Sequence, residues 1–365
     1  MMFNGLVFFN ISSDPLVPDD HPAIRQLYRA VFPTDCSNWT ERNHGLLNHT
    51  PLVKSKHKKV LNLIFHMDPR PNDHGGNIFE TDWIELVLLG EIDRPLRVLR
   101  WDNEFRNDSV HVIFGHPPDD LFFRMRRAGI VNFGSIQMAD EFMVENTSFY
   151  ADCDYTFRFY WNAAHSDSPH NVHYLPLGYK SGLGAIAPRT HIPASRRRNL
   201  YGFVGSLRAN RAHALSQLWF RRADSVIVAD LGWADPAGLH IIEYRHLLRD
   251  TAFTLAPFGS NEESLRFFEA LEAGSIPIAQ ASAAPWGDFI ADGVGGGAAA
   301  PQPIPRVREW CEANEILAHY AARPAELDML QERIVAWWAG RRRAAQRTVR
   351  RVLEGSFARA RGAGT

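Results

Sequence analysis

The stretch Asp250–Gln280, DTAFTLAPFGSNEESLRFFEALEAGSIPIAQ, decides the reading of this chain. Ala252 to Leu255 is an apolar, β-favouring run, and Pro257-Phe258-Gly259-Ser260-Asn261 breaks it. An amphipathic run from Glu262 to Ala273 follows, then Gly274 as a stop and a second apolar segment, Ile276 to Ala279. Strand, loop, helix, strand is one βαβ unit of an α/β domain. The loop carries the chemistry. Gly259 tolerates backbone angles that other residues avoid, and Ser260 or Asn261 is placed to cap the helix. Unpaired N–H groups and the positive end of the dipole then make a seat for a phosphate. Ser264 and Arg266 add a hydroxyl and a cationic fork. On spacing alone, an ordinary capped helix with an Arg266–Glu269 surface pair explains the stretch equally well.

Composition bounds the alternatives. With 365 residues, the chain has room for two domains that each bury a core. A hydrophobic content of 45%, a charged content of 22% and a formal net charge of −1 fit a globular protein. They give no electrostatic reason to expect a nucleic-acid partner. Cys36, Cys153 and Cys311 are too widely spaced for a zinc site or a disulfide framework. No segment reads as a membrane span or as a signal peptide. Asn-x-Ser/Thr sequons at Asn10, Asn38, Asn48, Asn107 and Asn146 point the other way, toward a secretory setting. Golgi lumen for an anchored protein and cytoplasm for a chain complete as written therefore both stay open, as does membrane association through an anchor or the basic C-terminus.

Other segments fill in the α/β pattern. Residues 1–55 read as an arm leaning on the first domain. A first Rossmann-like domain is expected over 56–190, a second over 196–325, and a helix with a basic tail over 326–365 that crosses back to the first. Strands are expected at Val60–Phe65, Leu96–Trp101, Val110–Phe114 and Gly129–Gly134, and helices at Phe79–Leu89 and Leu121–Ala128. The loop HMDPRPNDHGGN after the Val60–Phe65 strand is a candidate acceptor wall, because ligands in open α/β sheets sit beyond the strands' carboxyl ends. Asp140-Glu141, after the Gly129–Gly134 segment, are candidates for acid–base work. As a plain helix-start acidic pair they would serve the dipole instead. Arg158 is placed to reach the cleft. Asp152-x-Asp154 mimics a D-x-D metal motif and is discounted, and the histidines at 165, 170 and 173 are read as solvent-exposed. Gly205 and Ser206 close an apolar strand, and Arg208 and Arg211 follow, a second phosphate-cradle shape.

The run Ser260–Ile278, with its E-A-x-E-A-G-S-I-P core, resembles the signature of exostosin-like glycosyltransferases, nearest to the ribitol xylosyltransferase branch. The partial acidic motif at Ala139-Asp140-Glu141, the L-P-L-G-Y at Leu175–Tyr179, and the F-x-G with arginines from Phe203 extend the resemblance. It implies the GT-B fold: α/β, two Rossmann-like domains facing a cleft. It implies inverting transfer of a sugar from a nucleotide sugar, UDP-xylose by inheritance from that branch, to a hydroxyl of a glycan or polyol. In retaining relatives another Glu stands where this chain has Asn261, so the departure fits the inverting branch. Expected donor-site residues are Gly205, Ser206, Arg208, Arg211, Gly259, Asn261, Ser264, Arg266 and Glu269, with Glu269 on the ribose. No metal or other cofactor is expected. A catalytically inert GT-B partner protein and a GT-B epimerase or phosphorylase are the competing readings.

Overall fold

Two parallel sheets form because the chain supplies runs of β-favouring residues buried on both faces. In the first, β3 (Leu61–Phe65), β5 (Ser109–Ile113) and β6 (Phe133–Gln137) are buried along their whole length. With β4 (Leu96–Arg100), β7 (Thr156–Arg158) and β8 (Val172–Tyr174) they make an all-parallel sheet ordered β4-β3-β5-β6-β7-β8. The second is built on β9 (Asn199–Ser206), β10 (Ser225–Asp230), β11 (Thr251–Ala256), β12 (Ile276–Gln280) and β13 (Arg306–Val307). The computed structural model describes residues 2–3, 6–10, 59–66, 80–115, 117, 120–143, 145–165, 171–184, 186–207, 211–219, 224–230, 239–281 and 303–362.

The chain's beginning corrects one expectation. β1 (Met2–Phe3) pairs antiparallel with β2 (Leu6–Asn10), and β2 runs parallel beside β10. The arm thus extends the second sheet, giving the order β1-β2-β10-β9-β11-β12-β13, because β10 would otherwise leave a row of backbone groups unpaired.

Each sheet has one point where the strand order reverses. In the first the chain goes from β3 outward to β4, then returns to β5 on the other side. In the second it goes from β9 to β10, then returns to β11. At such a point neighbouring loops leave in opposite directions and open a crevice at the carboxyl ends. The segments after β9 and β11 hold the glycines and arginines singled out in the sequence.

Six helices carry the argument: α1 (Leu121–Arg127), α2 (Arg211–Ser216), α3 (Ile241–Arg249), α4 (Leu265–Glu272), α5 (Glu312–Ala321) and α6 (Pro324–Gly362). The expected helix near Phe79–Leu89 is a π-helical turn, Trp83–Leu88. The expected strand at 129–134 is displaced to Phe133–Gln137, because Gly129 and Asn132 take left-handed backbone angles, φ 74° and 59°, which end an extended run before it starts.

At 39 residues, α6 is about 58 Å long and ties the molecule together. Gln331 Oε1 accepts the Ala194 N–H in the interdomain segment, at 2.8 Å. Further along, Trp338 stacks on Trp83, Gln346 donates to the Val87 carbonyl, and Arg350 donates to the Glu91 carbonyl. Trp83 also explains the glycine of L-P-L-G-Y. Gly178 sits at φ 70°, and a Cβ there would fall inside the Trp83 indole. No helix among the described residues is long and apolar enough to cross a membrane.

Candidate active site

The carboxyl ends of β9 and β11 bring five of the expected donor-site residues together. Arg211, which opens α2, donates from Nε to the Phe258 carbonyl and from Nη1 to the Ser206 carbonyl and hydroxyl, each at 3.2 Å. Its Nη2 lies where a Cβ on Gly259 would come within 2.5 Å. Arg266, on the first turn of α4, donates from Nε to the Val204 carbonyl at 2.6 Å and lies over the Phe203 ring, 4.4 Å from its centroid. Gly205 has φ 137°, and a side chain there would collide with Arg266 Nη2. Both glycines are therefore the space in which two guanidinium groups reach the strand ends. Their positive charge, concentrated at a sheet crevice, is what a diphosphate needs.

Ser264, Asn261 and Glu269 hold different places. The helix starts at Leu265, later than expected, with Ser264 as N-cap in extended conformation and no capping bond from its side chain. The reason lies in the preceding residues, which are drawn toward the first domain. Asn261 Nδ2 donates to the Glu141 carbonyl at 2.8 Å, while its Oδ1 accepts the Glu263 N–H. Glu263 accepts the Trp161 N–H and the Tyr174 hydroxyl, the latter at 2.6 Å. Glu269 is buried, accepting the Lys180 N–H at 3.2 Å and the Tyr244 hydroxyl at 2.8 Å. The expected surface pair of Arg266 with Glu269 is thus corrected, since both residues are buried and Glu269 faces the interdomain segment. Arg208 lies outside the described residues, as does the candidate acceptor-wall loop beyond His66.

The acidic pair separates into two unlike residues. Asp140 is buried, with Oδ2 2.6 Å from Arg158 Nη2 and Oδ1 accepting the Glu145 N–H at 3.0 Å. Arg158, expected at the cleft, is buried too; its Nε and Nη1 donate to the Tyr160 carbonyl and the Tyr150 hydroxyl. This pair locks the turn that carries Glu141. Glu141 itself is half-buried, and its carboxylate accepts the Tyr160 hydroxyl.

One carboxyl was not foreshadowed. Burial pushes Glu80 up to about 8, and the charges of Glu269 and Glu141 push it further in the same direction. Glu141 and Glu269 therefore lie near enough for their charges to bear on Glu80, with the Lys180 charge acting the other way. In the sequence Glu80 is one residue into the expected Phe79–Leu89 helix and carries no signal of its own. Burial likewise raises Glu263 to about 7. The histidines expected in solvent are corrected: His165 and His173 are half-buried, against Tyr150 and Phe157, and burial lowers both, while His170 lies outside the described residues. Asp154 pairs with Arg126 at 3.0 Å and accepts the Phe133 N–H. Among the described residues no group of three or more His, Cys, Asp or Glu is arranged to hold a metal ion.

These shifts fix a pH dependence of stability. Glu80 near 8, Glu263 near 7 and Glu85 near 7, all raised first by burial, bind protons more tightly folded than unfolded. Their contribution is complete below the ordinary glutamate value and is lost as pH rises through 7 to 8. His66, His111 and His191, lowered by burial to about 4, 3 and 4, act oppositely and lose stability as pH falls below 6.5. The two sets offset each other between about 4.5 and 6.5, leaving a net decline above 6.5. Tm is expected to fall between pH 6.5 and 8.5. Glu80→Gln, which mimics the protonated carboxyl, is expected to raise Tm at pH 8.5 by several degrees and to leave it little changed at pH 5.5. An equal loss at both pH values would refute the assignment.

Comparison with known proteins agrees with the motif reading. Residues 194–358 match the family described as the RXYLT1 C-terminal domain. Most of the second domain and the long C-terminal helix are thus similar to that domain, over the same stretch that carries the sequence motif. No curated protein matches the chain. Among solved structures, T4 phage BGT in complex with UDP and Mn2+ is 10% identical, covering 81% of this chain and 99% of its own, with a TM-score of 0.43. The same phage enzyme with its UDP-glucose substrate has the same identity and coverage and a TM-score of 0.40. A GtfA/B complex is 13% identical over 68% of this chain and 58% of its own, with a TM-score of 0.38.

Proposed function

We propose that this protein is an inverting glycosyltransferase that moves a sugar from a nucleoside diphosphate donor to a hydroxyl of a glycan or polyol. The observation that carries the reading is the pair of arginines at the second sheet's reversal point, seated in spaces that only Gly205 and Gly259 leave open. In this reading the donor diphosphate lies against Arg211, Arg266, Ser206 and the Ser264 end of α4, with Arg208 as a further cation. Glu269 takes the ribose hydroxyls on the lone pairs that Lys180 and Tyr244 leave. The acceptor oxygen attacks the anomeric carbon from the face opposite the diphosphate. As that bond forms, the bond to the diphosphate oxygen breaks, and its electron pair goes to a leaving group stabilised by the arginines. A metal ion is not needed for that charge when two guanidiniums stand there.

The proton of the acceptor goes to Glu141. We assign the base to Glu141 in preference to Asp140, because both oxygens of Asp140 already accept from Arg158 and Glu145. UDP is the nucleotide and xylose the sugar suggested by the family branch. The test is a thermal-shift screen of nucleoside diphosphates and nucleotide sugars. At least one nucleotide is expected to raise Tm, by about 2.7 kcal/mol of stabilisation at a hundred times its Kd. An intact fold that no nucleotide stabilises would overturn the reading in favour of an inert partner protein.

A further inference from the structure

Glu80 is a buried carboxyl that takes no part in the transfer step as written above. It is 8% exposed, and among the described residues the hydrogen bond its carboxyl accepts comes from its own backbone N–H. The Lys180 charge favours its ionised form, but burial and the charges of Glu141 and Glu269 oppose it. A folded chain seldom buries a carboxyl that other residues leave unserved unless a ligand completes it.

Its place is fixed by direct bonds. Thr81 Oγ1 and Ser181 Oγ lie 2.5 Å apart, Asp82 N–H donates to Ser181 Oγ at 3.1 Å, and Gly182 N–H donates to Asp82 Oδ2 at 2.8 Å. The residue before Ser181 is Lys180, whose N–H reaches Glu269 Oε1 at 3.2 Å. Glu80 thus adjoins a strap that ends on the carboxylate proposed for the ribose. It is also close to the Glu141 turn, since the Tyr160 hydroxyl that bonds to Glu141 feels the charge of Glu80 as well. The Ile84 N–H closes on the Glu80 carbonyl at 3.0 Å and Trp83 stacks on Trp338, so the backbone is not free to swing away.

A nucleotide sugar held by Glu269 at its ribose, and attacked beside Glu141, carries its sugar between these two carboxyls. We propose that Glu80 binds a hydroxyl of the transferred sugar and so helps to select that sugar. The proposal rests on the transferase reading above and adds a donor-sugar contact from the first domain. A sugar hydroxyl both donates and accepts hydrogen bonds. A protonated carboxyl does the same, and burial keeps Glu80 protonated up to about pH 8. The diphosphate belongs at the arginines, away from carboxyls of its own sign. A metal ion is a poorer occupant, because among the described residues no group of three or more His, Cys, Asp or Glu is arranged to hold one.

Calorimetric titration of the full chain compares UDP, GDP, ADP and CDP with their glucose esters, and UDP also with UDP-xylose. Glu80→Ala is expected to weaken the ester that the wild type binds by about tenfold, with the free nucleotide within about twofold. Glu80→Gln keeps a donor and an acceptor, and is expected to retain most of the ester affinity. Between about pH 7 and 9 the wild type is expected to lose ester affinity as its carboxyl ionises, while Glu80→Gln stays level. Glu141, Glu269, Lys180 and Tyr160 bear on the same region but are common to both proteins, so the difference between the two profiles reads Glu80 alone. Should Glu80→Ala fold poorly, that comparison decides, and parallel profiles overturn the contact. Ester affinity unchanged in Glu80→Ala, ester and free nucleotide weakened alike, or a wild type that binds free nucleotide and no ester would each overturn it too, while leaving the donor site standing. Failure of every nucleotide to bind would instead overturn the transferase reading beneath it.

Discussion

Asp140→Ala is expected to lower Tm by about 10 °C, because it strands the Arg158 guanidinium in a place without water. Both partners of this ion pair are almost wholly buried at 2.6 Å. The rest of the guanidinium is already satisfied by the Tyr160 carbonyl and the Tyr150 hydroxyl, so it has no route to solvent. Removing one member of such a pair costs about 3–5 kcal/mol. Asp140→Asn keeps the shape and one acceptor oxygen, and should cost less. Thermal denaturation of both variants checks this. A catalytic Asp140 would show the reverse pattern, with Tm unchanged in Asp140→Asn and kcat lost. Glu141→Gln is the variant expected to hold its Tm and lose kcat.

Gly205→Ala carries the second large effect, and it falls on binding. Alanine at φ 137° costs about 1–3 kcal/mol in backbone strain alone. Its methyl group would also occupy the position of Arg266 Nη2. Arg266 cannot retreat freely, since its Nε is fixed to the Val204 carbonyl and its face to Phe203. The strand end or the guanidinium must move, and a diphosphate contact is lost either way. Nucleotide affinity should fall about a hundredfold, with Tm lower by a few degrees. An unchanged affinity measured by titration would mean that Arg266 does not face the donor.

The parts of this architecture that were legible from sequence are those set by local pattern. The apolar runs at 252–255 and 276–279 became β11 and β12 with shifts of a residue or so, because continuous burial in a parallel sheet needs little more than continuous hydrophobicity. Gly205 and Gly259 stand out in the sequence as glycines at strand ends, and the structure shows an arginine guanidinium filling the space beside each.

What escaped was decided by contacts distant in sequence. The start of α4 moved from Glu262 to Leu265 because Asn261 and Glu263 bond to residues about a hundred positions away. Nothing local announces that Asp140 pairs with Arg158, 18 residues on, because the partnership is made by burial under the turn. Glu80 gave no signal, since its raised affinity for a proton comes from burial and from Glu269 on the opposite domain.

The central claim is that the crevice between β9 and β11 binds a nucleoside diphosphate. Calorimetric titration of the wild type, Arg266→Ala and Glu269→Ala with UDP, GDP, ADP and CDP tests it most directly. The account predicts saturable one-site binding of at least one of them to the wild type, weakened about a hundredfold or more in Arg266→Ala and about tenfold in Glu269→Ala, with all three proteins folded. Binding that is unchanged in both variants would place the donor elsewhere and leave this stretch as scaffold.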